Sequence, residues 1–86
     1  MNKSEYQKLL ENELKEKYGT LINSKDLYPL LGFPSLAAFR KGVQRKTIEI
    51  PILVFPQRQG KFALAKDVAE LLTNARFKSV GDEEMK

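Results

Sequence analysis

The 86-residue chain contains no cysteine and no histidine, and these two absences narrow the chemistry that it can perform. Without cysteine it forms neither a disulfide, nor a thiolate metal site, nor a cysteine nucleophile. Without histidine it lacks the commonest general base and the commonest zinc ligand. Each serine has an explanation as a helix cap or lies in the C-terminal segment, and the acidic residues form no paired motif. We therefore expect no enzymatic activity, no metal, no cofactor and no small-molecule substrate.

The sequence also lacks long hydrophobic runs. No apolar stretch approaches the ~18 residues that a membrane span requires. The N-terminus passes at once into a charged helical pattern, without the apolar region of a secretory signal. The length fits one small domain and is too short for two lobes with a cleft between them. The sequence therefore predicts a soluble cytoplasmic protein with no membrane partner.

Acidic residues are scarce in the middle of the chain. Residues 1–19 contain four lysines and four glutamates, whereas residues 20–78 contain ten lysines and arginines against four acidic residues. Residues 79–86 contain one lysine against three acidic residues. A basic segment between neutral and acidic ends favours a polyanionic partner. An ordinary solvated surface has the same charge, so this observation alone decides little.

Residues 1–19 have the pattern of an amphipathic helix. Ser4 and Gln7 have the spacing of a capping box, and Gly19 stands where a C-terminal glycine cap is expected. The apolar residues at helical spacing are Tyr6, Leu9, Leu10, Leu14 and Tyr18. This stripe predicts either packing on the rest of the domain or a dimer contact.

Residues 20–46 have the pattern of a short extended segment followed by two short helices. Ser24 is the expected N-cap of the first of these helices, which Pro29 should shorten or bend. The Gly-Phe-Pro sequence at 32–34 predicts a sharp turn that ends it. Ser35 is the expected N-cap of the next helix, which runs to Arg45 or Lys46.

Residues 50–64 have the pattern of a β-hairpin. Ile50–Phe55 is predicted as one strand, Pro56–Gly60 as a turn and Lys61–Leu64 as the returning strand. A last helix is predicted to begin near Ala65, and residues 79–86 are predicted to form a disordered acidic tail.

Two short helices joined by a tight turn that contains glycine are typical of a helix-turn-helix, and a hairpin directly after them is a wing. The predicted fold is therefore mainly α with a small β-hairpin: a winged helix-turn-helix over residues 20–78 with an extra N-terminal helix.

The helix that begins after Ser35 has two different sides. Leu36, Phe39 and Val43 have the spacing of an inward face, the other side is basic and polar, and Arg40 lies at the border between them. The residues predicted to contact DNA are Ser35, Ala37, Ala38, Arg40, Lys41, Gln44, Arg45 and Lys46 on this helix, and Arg58 and Lys61 on the wing.

The residue types on this face suit DNA recognition. Arginine can bond guanine at two atoms and glutamine can do the same with adenine, each pairing being worth ~1–3 kcal/mol of discrimination. Alanines permit close approach, and Ser35 with the helix N-terminal amides could hold a phosphate. Arg58 and Lys61 would place the wing on the backbone or in the minor groove. A helix face that is merely solvated has the same composition. The prediction of DNA binding therefore depends on the basic helix face and the basic wing occurring together.

Residues 21–72 resemble the winged helix-turn-helix modules of small phage and plasmid regulators, namely excisionases, AlpA-type regulators and MerR-like heads. The segment 22–33, INSKDLYPLLGF, resembles their opening pattern, and 67–72, DVAELL, resembles the start of their closing helix. The segment 49–52, EIPI, resembles the region before the wing in pyocin-activator-type proteins. The first helix, a glycine inside the reading helix and a longer connection after that helix depart from the pattern.

This resemblance implies a regulator of transcription that binds double-stranded DNA, is encoded by a mobile element and lies with the nucleoid, as a homodimer or a cooperative oligomer on DNA. Two alternatives stay open. A recombination directionality factor would use the same face but bend the DNA. A small inhibitor or adaptor would instead bind an acidic protein, through the stripe of Tyr6, Leu10 and Leu14 or through the basic helix face. RNA is less favoured, because Phe39, Phe55 and Phe62 are needed in the core.

Overall fold

The computed structural model describes residues 2–84, and the burial of side chains over residues 2–78. The elements in chain order are α1 (Lys3–Tyr18), β1 (Leu21–Asn23), α2 (Ser24–Leu30), α3 (Leu36–Gln44), β2 (Phe62–Leu64) and α4 (Ala65–Glu84). The architecture is thus mainly helical with a small antiparallel sheet, as the sequence predicts at that level.

The sheet pairs different segments from those predicted. β2 lies antiparallel to β1, with Ile22 opposite Ala63. The predicted strand over Ile50–Phe55 is wrong, since only Leu53 of that segment pairs, in an isolated bridge with Phe62 whose two hydrogen bonds measure 2.7 and 2.9 Å. The next hydrogen-bonding position along an antiparallel ladder is two residues away, at Pro51, and proline has no N–H to donate.

Asparagines rather than serines cap the first two helices. The Asn2 side chain accepts a hydrogen bond of 2.8 Å from the Glu5 N–H, so α1 begins before the predicted cap at Ser4. The Asn23 side chain accepts one of 2.8 Å from the Lys25 N–H, which makes Ser24 a helical residue rather than the predicted cap. Asparagine and serine cap about equally well, so the sequence does not rank neighbouring candidates.

α2 is short, as Pro29 predicts, although the proline lies inside the helix, next to its last residue. Gly32 ends the helix in the left-handed region with φ of +85°. The Phe33 N–H donates to the Tyr28 carbonyl over 2.9 Å and the Gly32 N–H to the Pro29 carbonyl over 3.1 Å. These two bonds form a Schellman motif, which turns the chain toward α3.

The core joins every helix to the sheet. Ile22, Leu27, Phe39 and Val68 are fully buried, and Leu14 of α1 is 5% exposed. Each comes from a different element, so the core links β1, α2, α3, α4 and α1.

α1 packs mainly against α4. The rings of Tyr6 and Phe77 meet edge to face with centroids 5.7 Å apart, and the Arg76 guanidinium lies 4.9 Å from the Tyr6 ring centroid. The first helix therefore packs on the domain through Tyr6, Leu10, Leu14 and Tyr18, while Leu9 of the same stripe is 48% exposed. A role in dimerisation stays a prediction.

α4 extends further than the sequence indicates. Its backbone is helical from Ala65 to Glu84, and residues 85–86 lie outside the described part. The disordered acidic tail over residues 79–86 stays a prediction. Within residues 2–84 we find no helix with both the length and the apolar character needed to cross a bilayer.

Candidate nucleic-acid interface

The inner side of α3 fixes this helix to the core. Phe39 is fully buried, and Leu36 and Val43 are half-buried. The Phe39 ring meets Phe33, from the turn before the helix, edge to face with centroids 5.8 Å apart. The predicted inward face of α3 is therefore confirmed, and its orientation on α2 is set by aromatic packing.

Ser35 caps α3 as predicted. Its Oγ accepts a hydrogen bond of 3.1 Å from the Ala38 N–H, and the serine itself is exposed. The hydroxyl hydrogen has no protein acceptor among the described side-chain hydrogen bonds, so it remains available to an external anion.

The outer side of α3 is exposed and cationic. We call the following residues the basic face: Arg40, Lys41, Gln44, Arg45 and Lys46. All five are exposed, and Ala37 beside them is exposed while Ala38 is half-buried. Over residues 2–78, no carboxylate lies within 4.0 Å of these arginine or lysine groups, since the ion pair found there is on α1. The basic face therefore keeps its charge toward solvent.

Three of the four acidic side chains of residues 20–78 lie together elsewhere, and the fourth, Asp26, lies in the first turn of α2. Glu49, Asp67 and Glu70 line one depression between the segment 49–51 and α4. Because these carboxylates group beside α4, they do not neutralise the basic face.

Gly42 lies inside α3 for a packing reason that the sequence does not reveal. A Cβ at this position would lie 3.0 Å from Cζ and 3.2 Å from Cε1 of Phe33. The glycine is buried and lets the Phe33 ring approach the helix backbone. It is therefore a contact point between the turn and the helix, rather than the fraying end that its low helix propensity would favour.

The C-terminal end of α3 forms a Schellman motif that sequence reasoning missed. The Thr47 N–H donates to the Gly42 carbonyl over 3.0 Å and the Lys46 N–H to the Val43 carbonyl over 3.1 Å. The Thr47 hydroxyl donates a second bond of 3.2 Å to the Gly42 carbonyl. Lys46 stands at the left-handed position of the motif, with φ of +58°.

The predicted wing is a turn closed by the bridge between Leu53 and Phe62. Arg58 is exposed, its N–H donates to the Phe55 carbonyl over 3.2 Å, and its guanidinium lies 6.0 Å from the Phe55 ring centroid. Lys61 is half-buried. The described contacts of Arg58 are therefore local.

The wing turn also approaches the start of α2. A Cβ at Gly60 would come within 3.5 Å of the Ser24 Oγ. None of these contacts joins Arg58 or Lys61 to α3, so the basic face and the turn are two separate parts of the predicted site.

The described residues contain no group of three or more histidine, cysteine, aspartate or glutamate side chains placed to hold a metal ion. Comparison of the chain with family models, curated proteins and solved structures gives no match.

Proposed function

We propose that the protein binds double-stranded DNA sequence-specifically, as a winged helix-turn-helix regulator of transcription from a mobile element. The observation that carries this proposal is the basic face of α3: its cations are exposed and, over residues 2–78, have no carboxylate partner. The same helix is held from behind by the buried Phe39. α2 and α3 supply the helix-turn-helix, and α3 is the recognition helix.

The dimensions of an α-helix suit this role. An α-helix with its side chains is about 10–12 Å across, and the major groove of B-DNA is about 12 Å wide. Ala37 and Ala38 keep the first turn of α3 slim, where recognition helices usually meet base edges. Arg40, Gln44 and Arg45 have the length and the donors to reach those edges, with Arg40 at the border of the inward face and Arg45 about 140° away around the helix axis.

The remaining predicted residues contact the backbone in this proposal. Ser35 and the free amides of the first turn of α3 face a phosphate. Arg58 and Lys61 place the wing turn on the sugar-phosphate backbone or in the minor groove. These contacts carry no base information, so they account for affinity and its salt dependence rather than for specificity.

The test begins with selection of bound sequences from a random duplex pool, at about 50 mM and about 200 mM salt, since contacts to phosphates weaken steeply over this range. We expect one enriched motif at the higher salt. Failure to retain any duplex at the lower salt would contradict the proposal and favour a protein partner.

Arg40→Ala and Arg45→Ala are then measured on the selected site. Each should lower affinity about 5- to 150-fold, the equivalent of one lost bidentate base contact. The free energy of unfolding should change by less than about 0.5 kcal/mol, because both side chains are exposed and make no described contact. Arg76→Ala on α4 is the matched arginine control and should leave DNA affinity unchanged. If a variant of Arg40 or Arg45 destabilises the protein while the molecules that remain folded bind DNA with unchanged affinity, the recognition surface lies elsewhere.

A further inference from the structure

The chain forms the same helix-ending motif twice with different residues at its left-handed position. At the end of α2 this position is Gly32, with φ of +85°, and at the end of α3 it is Lys46, with φ of +58°. Both ends have the two backbone hydrogen bonds of a Schellman motif. A glycine and a lysine at the same position of the motif can therefore be compared within one chain.

A lysine is unfavourable at this backbone position. The left-handed region brings Cβ close to the backbone carbonyl, which is why glycine usually occupies it. Among residues 2–84, Lys46 is the one non-glycine residue with positive φ, and Gly19, Gly32 and Gly60 hold the other such positions. A strained backbone persists where its surroundings fix it, and Thr47 does so with both its N–H and its hydroxyl on the Gly42 carbonyl.

The position of Lys46 at the C-terminal end of α3 suits contact with a DNA phosphate. α3 has nine residues, and at about 1.5 Å per residue it is about 14 Å long. A helix that enters the major groove with its first turn deepest carries its last turn outward, toward the phosphates. The carbonyls of that turn carry partial negative charge, which repels phosphate unless a cation stands among them.

We propose that Lys46 is a phosphate-anchoring residue, held in a left-handed backbone conformation that lowers the stability of the protein. This inference rests on the proposed DNA-binding function and deepens it, because it separates a backbone contact at the end of α3 from the base contacts of Arg40 and Arg45. Lys46 is exposed and has no carboxylate within 4.0 Å over residues 2–78, so its ammonium is available to a phosphate.

The test compares Lys46→Gly, Lys46→Asn and Lys46→Arg in thermal melts and in duplex binding at several salt concentrations. Lys46→Gly removes the Cβ that makes the left-handed backbone unfavourable. In a domain of this size, relief of that strain should raise the Tm by about 4 °C. At about 0.1 M salt it should weaken binding about eightfold, to selected and random duplex alike, and make the slope of log K against log salt shallower by about 0.9.

The other two variants separate charge from backbone conformation. Lys46→Asn keeps a residue that tolerates left-handed geometry but removes the charge, so it should lose DNA affinity as the glycine variant does. Lys46→Arg should keep both the affinity and the salt slope. Lys8→Gln removes one exposed lysine from α1 and should leave the salt slope unchanged.

The results distinguish failure of the proposed DNA binding from failure of the proposed role of Lys46. If the wild-type protein binds no duplex, the proposed function fails. If it binds and Lys46→Gly binds with the same slope, the function stands and the phosphate anchor is refuted. If Lys46→Gly lowers the Tm, Lys46 stabilises the end of α3 and the inferred strain is refuted. A stabilised glycine variant with a shallower salt slope supports the proposal.

Discussion

Cationic side chains are used differently on the α1–α4 side of the molecule and on α3. On α1 and α4, two of them have partners within the chain: the Lys15 Nζ lies 2.8 Å from a Glu11 carboxylate oxygen, and the Arg76 guanidinium lies 4.9 Å from the Tyr6 ring centroid. On α3, the arginines and lysines of the basic face have no carboxylate within 4.0 Å over residues 2–78. Lys15 and Arg76 therefore contribute to folding, while the cations of the basic face are available for binding.

The pair on α1 also shows how modest the folding contribution of such cations is. The hydrogen bond from Lys15 lowers the pKa of the Glu11 carboxyl below its ordinary value. A lowered pKa means that the pair stabilises the folded state at neutral pH, and that this stabilisation disappears as the pH falls through the lowered pKa. Because both side chains are accessible to water, the contribution is small and is screened by salt.

If folding and binding depend on different residues, a core mutation in α1 should change only folding. Leu14 is 5% exposed and joins α1 to the core. We expect Leu14→Ala to lower the free energy of unfolding by about 2–4 kcal/mol, through lost burial and the cavity that remains. Urea melts measure this loss, and titration of a labelled duplex, corrected for the folded fraction, should give unchanged DNA affinity.

Leu9→Ala is the matched control on the same helix. Leu9 is 48% exposed, so its truncation should change stability by less than about 0.5 kcal/mol. If folded Leu14→Ala protein bound DNA weakly, α1 would belong to the interface and the separation would fail.

The side of α3 that faces inward could be read from the sequence more fully than its ends. The spacing of Leu36, Phe39 and Val43 defines one face of a helix, and Ser35 is a local cap, so neither depends on distant parts of the chain. The position of Lys46 in the left-handed region depends instead on Thr47 and Gly42, whose hydrogen bonds exist only once the helix has ended. Nothing in the order of residues marks that lysine.

The sheet shows a second limit of sequence reasoning. The segment 50–55 has the composition of a strand, but Pro51 removes the donor that a second hydrogen-bonded pair needs. The partner of β2 is β1, which precedes it by about forty residues of chain, and local patterns do not identify so distant a partner. The predicted returning strand was therefore found, with a different neighbour.

Substitution of Gly42 tests how closely the inner side of α3 packs against Phe33, in contrast to the exposed basic face. In an ordinary helix interior, Gly→Ala stabilises by about 1 kcal/mol. Here the added Cβ would lie 3.0 Å from the Phe33 ring, and such overpacking outweighs the gain in propensity, so we expect a net loss of about 1 kcal/mol. Thermal and urea melts of Gly42→Ala measure the sign directly.

A double-mutant cycle with Phe33→Leu identifies the cause. In the Phe33→Leu background the smaller side chain leaves room for the Cβ, and Gly42→Ala should then stabilise the protein. If Gly42→Ala stabilises the protein even with Phe33 present, the ring is free to move aside and does not fix the orientation of α3.

The smallest expected effect contrasts two arginines directly. Arg76→Ala removes a guanidinium that lies over the Tyr6 ring, and an exposed contact of this kind is worth about 0.5 kcal/mol of stability. DNA affinity should be unchanged, which is the reverse of the result expected for Arg45→Ala. In a Tyr6→Leu background the same Arg76→Ala change should have little effect, because the ring that holds the cation is gone. Equal losses of DNA affinity in Arg76→Ala and Arg45→Ala would instead mean that any surface cation contributes alike, and the distinction between the α1–α4 cations and the basic face would no longer hold.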